Sequence, residues 1–322
     1  MRKNLLWISL FISLIVCASC VNMNGVSAVE YPAIVVIPET TVNPTLKPGM
    51  NYKVSIYTNY TGNDVWGWQL SLSYNPNVLH GGINNTDTWT GDGVNTIFYT
   101  TKKPVVPDSE KVYVNGILMT RDVDYIMNYK IGGIKFTTAP GQGAGVKAMY
   151  LYHGVVNGDL ITTVKNPNAM FDTGLGFNNT SGKLEVTTAW FYWSQRPVPT
   201  TYGPGILANV TFTVVGYGTS NITLGTETRL VGWTQGGMGD MYYIIDADVD
   251  PDHIQHGFFS NMIPGDLDGD RYVGPIDLNM FAAAYGKRKG QTGYRLLADL
   301  DRDGYIGPID LNIFAANYGK RA

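Results

Sequence analysis

The sequence predicts a mainly β protein: an antiparallel β-sandwich with a small β module inserted in it, followed by a small helical unit built on a repeated acidic loop. Three observations lead there. Between Glu30 and Ser260 apolar residues recur with a period of two, and clusters of Gly, Pro and Asn cut that stretch into short runs. After residue 260 one motif occurs twice, thirty-three positions apart, and each copy runs into a helical period.

The strands come first. Trp66, Trp68, Leu70, Leu72 and Tyr74 alternate with Gly67, Gln69, Ser71 and Ser73, and Val210, Phe212 and Val214 alternate with Asn209, Thr211 and Thr213. Such alternation predicts half-buried strands of stacked antiparallel sheets. Similar runs fall at 52–57, 184–190 and 222–224. From 88 to 153 the chain has a hairpin signature of its own. Val112-Tyr113-Val114 leads into Asn115-Gly116, a pair suited to a tight reversal, and Ile134-Lys135-Phe136 and 146–152 supply further strands. An insertion at a loop costs little, so this stretch reads as a β module set into the sandwich, either as an elaborated loop or as a binding unit.

Composition narrows the setting. Arg2 and Lys3, an apolar run from Leu5 to Val16 and Val26-Ser27-Ala28 form a secretion signal with cleavage expected near Ala28. Residues 1–28 are therefore assigned to the leader, 29–260 to the sandwich and 262–322 to the helical unit. Both cysteines, Cys17 and Cys20, fall in the leader, so the mature secreted or cell-surface chain is expected to hold no disulfide. Without Arg2 and Lys3, 21 basic residues face 26 acidic ones, a balance of −5 that disfavours nucleic acid as a partner. Asn-x-Ser/Thr sequons at Asn59, Asn84, Asn178, Asn179, Asn209 and Asn221 fit a glycosylated surface protein.

The repeat carries the strongest signal. Asp266, Asp268, Asp270 and Asp277 stand at positions 1, 3, 5 and 12 of one loop, and Asp299, Asp301, Asp303 and Asp310 at the same positions of the other. Four carboxylates within twelve residues repel one another unless a cation sits among them. Hard oxygen ligands at this spacing, with the carbonyls of Tyr272 and Tyr305 at position 7, predict two Ca²⁺ sites of the EF-hand kind. Arg271 replaces the usual Gly at position 6, and both loops end in Asp rather than Glu. Leu278, Phe281 and Tyr285, like Leu311, Phe314 and Tyr318, recur at i, i+3 and i+7, which predicts one buried face per helix, with Gly286 and Gly319 as stops. Pro264 excludes a helix entering the first loop.

On these residues the stretch from about 262 to 320 resembles a type I dockerin, the calcium-dependent plug that docks enzymes onto cellulosome scaffolds by binding a cohesin. The resemblance implies partner contacts at Pro275, Ile276, Ala282, Ala283 and Lys287 in one copy. In the other they fall at Pro308, Ile309, Ala315, Ala316 and Lys320. The Pro-Ile pairs stand where the best-known dockerins carry small hydroxyl residues. The large β region resembles a cohesin domain through Ser71-Leu72-Ser73-Tyr74-Asn75-Pro76-Asn77-Val78-Leu79, Gly158-Asp159-Leu160 and Gly205-Ile206-Leu207-Ala208-Asn209-Val210-Thr211-Phe212.

Three further constellations offer candidate sites. Trp190-Phe191-Tyr192-Trp193 could stack on sugars or pack inward; Asp246, Asp248, Asp250 and Asp252 could form a third cation loop; His253 and His256 could share a metal. No nucleophile with a base, and no recognisable carboxylate pair, marks a catalytic centre, so no enzyme is expected. The expectation is a secreted, non-catalytic assembly or adhesion protein acting in polysaccharide binding and breakdown. Its dockerin-like unit would engage a cohesin-bearing scaffold, and its sandwich would bind protein, including a dockerin or a second copy of the chain, or polysaccharide. A carbohydrate-binding module attached to a degrading complex is the alternative, and a dockerin-bearing glycoside hydrolase is the remaining class.

Overall fold

A computed structural model describes residues 32–161, 169–190, 203–234 and 240–321. The leader at 1–28 and Phe191, Tyr192 and Trp193 of the aromatic run lie outside them. Two sheets form the sandwich. One has six strands, in the order Val155–Asn157, Gly205–Val214, Asn51–Thr58, Ile34–Ile37 and Ile254–Gln255, with Leu79–Gly81 also on Gly205–Val214. The other has eight: Ala169–Asn178, Lys183–Trp190, Val65–Ser73, Thr219–Leu224, Gly257–Ser260 and Thr40–Val42 in line, with Arg229–Trp233 and Met241–Asp246 branching from Val65–Ser73.

The inner faces meet as the alternation predicts. Trp68, Leu70, Leu72 and Tyr74 are buried opposite Tyr52, Val54 and Ile56. Tyr52 reaches Phe259 across the gap at 4.5 Å between ring centroids, and Tyr74 meets Phe212 edge-on at 5.0 Å. Trp66 is only half-buried at the margin, beside Trp233 at 5.9 Å, because the pairing register slips where Val65–Ser73 meets Arg229–Trp233.

Two expectations are corrected. The sheets are not purely antiparallel: Ile34–Ile37 pairs parallel with Ile254–Gln255, and Thr40–Val42 with Gly257–Ser260. Strands from both ends of the domain run side by side there, a pairing that no local turn can encode. Thr211 and Thr213, expected outward, are 7% and 2% exposed. The stems of the insert cover them: Thr211 N–H donates to Gly154 O, Gly82 N–H donates to Thr211 O, and Thr213 Oγ1 donates to Gly82 O. A side chain at Gly154 would lie 2.7 Å from Gly82 Cα, so Gly is required at this crossing.

The inserted module begins at Ile83, ahead of residue 88, because Ile83–Thr90 pairs along its whole length with Gly145–Tyr152. It holds a four-stranded and a three-stranded sheet around a separate core of Phe98, Val112, Tyr125, Ile134, Phe136, Val146, Ala148 and Tyr150. The turn at Asn115-Gly116 forms as expected, with φ of 51° and 81°. Asp87 is buried, accepting hydrogen bonds from Tyr150 O–H and from Thr101 through both N–H and Oγ1. This core is separate from that of the sandwich.

Burial pushes the imidazoles of His80 and His153 below the ordinary histidine range. The folded state thus favours their neutral forms. Their contribution is complete above the unfolded value of about 6.5 and is lost as pH falls through the folded values. We expect the urea midpoint of the β region to drop between about pH 7.5 and about pH 5. His80→Gln should shrink that drop, and equal midpoints in wild type would show both rings to be fully hydrated.

Candidate metal centre

After Asn261 the chain builds a third core from Ile263, Leu267, Val273, Phe281, Ala284, Ala298, Ile306 and Phe314. Two helices carry it, α1 (Pro275–Ala284) and α2 (Pro308–Asn317). Pro at the first helical position suits each, since that N–H has no partner in a helix. Phe281 and Phe314 stack across the middle at 5.0 Å. The copies also interlock by backbone: Val273 N–H donates to Lys320 O and Gly319 N–H to Val273 O, while Gly286 N–H donates to Ile306 O and Ile306 N–H to Lys287 O. Arg321 lies over Tyr272 at 4.0 Å and Arg288 over Tyr305 at 4.5 Å, so each position 7 residue is covered from the far end of the other copy.

The acidic loops are wound by their own carboxylates. Asp266 accepts from the N–H groups of Gly269 and Arg271, Asp268 from Asp270, and Asp270 from Tyr272. Asp277 accepts from Leu267, Asp268 and Gly274, which also caps α1. In the second loop Asp299 accepts from Gly304, Asp301 from Asp303, Asp303 from Tyr305, and Asp310 from Leu300, Asp301 and Gly307. Asp266, Asp277, Asp299 and Asp310 are only 1–3% exposed.

This winding brings oxygens of Asp266, Asp268 and Asp277 within 4.8 Å of one another, and likewise those of Asp299, Asp301 and Asp303. Asp270 stands outside the first trio and Asp310 outside the second, so each loop assembles three of its four expected carboxylates, and between them the trios contain positions 1, 3, 5 and 12. Burial, then the charges of Asp277 and Asp268, push the Asp266 carboxyl above its usual range. Asp301 moves the same way, by burial and by Asp310, Asp303 and Asp299. Asp299 Oδ1 is buried with no hydrogen-bond partner. Converging anions and an orphaned oxygen fit a hard divalent cation.

The predicted helix faces need correction. Phe281 and Phe314 are buried, but Leu278, Tyr285, Leu311 and Tyr318 are 41–45% exposed. The buried set on α1 is Asp277, Phe281 and Ala284, since a helix pair this short covers only the strip facing the partner ring and the loop. Of the expected partner contacts, Pro275, Ile276, Ala282 and Ala283 are exposed and Lys287 is half-buried. Pro308, Ile309, Ala315, Ala316 and Lys320 are all exposed. Leu278 and Leu311 extend these surfaces beyond the sequence expectation, because their helical period matched a core position.

The remaining candidates take structural places. Asp246 is paired with Arg229, Nε at 3.2 Å, and accepts the N–H of Asp248; the acidic run at 246–252 passes through a turn, and it forms no three-carboxylate cluster among the described residues. His256 Nδ1 accepts the Leu224 N–H. Among the sequons Asn84, Asn178 and Asn221 are exposed, whereas Asn59, Asn179 and Asn209 are half-buried and accept hydrogen bonds from Ala33, from Tyr74 and Gly81, and from Ser55. Sequence reasoning missed Tyr294, whose hydroxyl donates to Asp299, and Arg302. The clue for Arg302 was its place at position 4, where the first loop has Gly269.

No family model matches the chain. An uncharacterized protein of Methanocaldococcus jannaschii is 41% identical over 75 residues, a match spanning 22% of this chain and about a third (32%) of that protein. Solved structures similar to this chain are cohesin modules, alone or with a dockerin. A type I cohesin–dockerin complex of Clostridium thermocellum is 9% identical, with 71% of this chain and 98% of that one covered and a TM-score of 0.33. A cohesin of Acetivibrio cellulolyticus in complex with a dockerin is 12% identical, with 69% and 93% covered and a TM-score of 0.32. A type II cohesin domain from the cellulosome of the same organism is 15% identical, with 61% and 74% covered and a TM-score of 0.28.

Proposed function

We propose that this chain is a secreted, non-catalytic assembly protein whose carboxyl-terminal module, loaded with two Ca²⁺ ions, plugs into a cohesin-like partner. One observation carries the reading: the module is duplicated, and each copy joins a carboxylate trio to an exposed apolar helix face. Ile276 and Ile309 are 60% and 58% exposed, and Leu278 and Leu311 are exposed at 41% each. A patch of this kind on so small a module suits a protein partner. When bound, the cations neutralise the carboxylates and hold the loops; Asp266, Asp268 and Asp277, and Asp299, Asp301 and Asp303, are the residues that would hold them.

Surface plasmon resonance of the mature chain over a panel of immobilised cohesin modules tests this. Binding in millimolar calcium that vanishes in EDTA is expected; no binding to any module would sink the reading. The repeat adds a second expectation. Ala283→Asp alone should be tolerated, because α2 offers the same residues, whereas Ala283→Asp with Ala316→Asp should weaken binding by about a hundredfold or more, since a charge is then buried without a partner in either pose. Loss of binding from the single change would show one dedicated face.

A groove of about 1150 Å³ between sandwich and insert, lined in part by Asn84, Lys111, Asn178, Lys183 and Glu185, favours a polysaccharide as a second ligand. A glycan array probed with the mature chain tests that reading separately.

A further inference from the structure

Positions 4 and 6 of each acidic loop take the left-handed backbone conformation. The first loop has Gly269 (φ 84°) and Arg271 (φ 69°) there, and the second has Arg302 (φ 65°) and Gly304 (φ 85°). One such position per loop thus bears an arginine, which gains nothing from that backbone. Both arginines reach the sandwich. The guanidinium of Arg271 lies over the Tyr217 ring at 4.1 Å, and that of Arg302 over the Phe258 ring at 4.1 Å. Arg302 Nη1 also donates to Leu296 O at 2.7 Å, which holds its plane on the ring.

The joint between the two parts is short and fastened. Asn261 is fully buried at 0% exposure, accepts the Gly218 N–H, and donates to Leu46 O and Gly216 O. Ile263 enters the core of the module. The cavity left beside Val42, Ser260, Met262 and Arg302 is about 20 Å³, room for about one water.

We infer that Arg271 and Arg302 form a cation-dependent clamp, by which filling the acidic loops fixes the module on the sandwich with both helix faces outward. This rests on the calcium reading above. The coupling is mechanical. Asp266 Oδ2 accepts the Arg271 N–H at 3.0 Å, and Arg302 lies between Asp301 and Asp303, so the carboxylates that would hold the ions also set the backbone from which each guanidinium extends. Without a cation those carboxylates repel, the loops open, and the left-handed arginines relax off their rings. Stacking of a guanidinium on an aromatic face is sensitive to such a shift, because it acts only close to the ring.

Two measurements on the mature chain test the clamp: calorimetric titration with Ca²⁺, and the rate of proteolysis across 261–265 in calcium and in EDTA. Wild type should bind two ions, and chelation should speed cleavage about tenfold or more. Arg271→Ala with Arg302→Ala should still bind two ions yet be cleaved in calcium several-fold faster than wild type in calcium. Tyr217→Ala, which alters only the sandwich side, should move cleavage the same way. If the double variant binds two ions and keeps wild-type protection, the clamp is refuted. If wild type binds none, the calcium reading fails and the clamp with it.

Discussion

Chelation is expected to melt the carboxyl-terminal module of the mature chain while both β cores stay folded. The module has about sixty residues, no cysteine and only eight buried apolar side chains at its centre. A core of that size seldom sustains a fold without a staple. Its sequence also places Asp266, Asp277, Asp299 and Asp310 inside, at 1–3% exposure. Each site held at a hundredfold over its Kd contributes about 2.7 kcal/mol. In a domain this small 1 kcal/mol moves Tm by about 4–8 °C, so two sites together should shift it by about 20–40 °C. Scanning calorimetry in millimolar calcium and in EDTA should show one transition that moves by tens of degrees and another that stays. If neither moves, the loops hold no calcium.

Phe281→Ala should have the largest effect of any single substitution in the module. The ring is 1% exposed and stacks on Phe314 with 28° between planes. Removing it deletes half of the aromatic pair that joins the two copies through the centre, and truncation of a buried Phe costs about 3–5 kcal/mol. That exceeds the calcium contribution of one site, so the module should be largely unfolded even with calcium present. Leu278→Ala, three residues earlier on the same helix, should cost under about 1 kcal/mol of stability because the side chain is 41% exposed, yet it should weaken partner binding. Circular dichroism with calcium present separates the two; comparable melting of both variants would restore Leu278 to the core.

The contrast between Phe281 and Leu278 shows where sequence reasoning ends. Both lie on the i, i+3, i+7 stripe, and so does Tyr285, but a helix of ten residues with one neighbour buries a strip narrower than its apolar stripe. Which part is covered depends on where Phe314 and the loop stand, and that is a property of the assembled pair.

What the sequence by itself determined are the features whose causes are local: the strand periods around Trp68 and Phe212, the reversal at Asn115-Gly116, the spacing of the acidic loops and the presence of a helix after each. Each follows from steric and electrostatic rules acting over a few residues. The tertiary structure alone decided the parallel pairing of Ile34–Ile37 with Ile254–Gln255, the burial of Thr211 and Thr213 beneath the stems of the insert, and the placement of Arg271 and Arg302 on Tyr217 and Phe258. These contacts join residues far apart in the chain. Their energy exists only once loop closure has brought both partners together, so no local pattern records them.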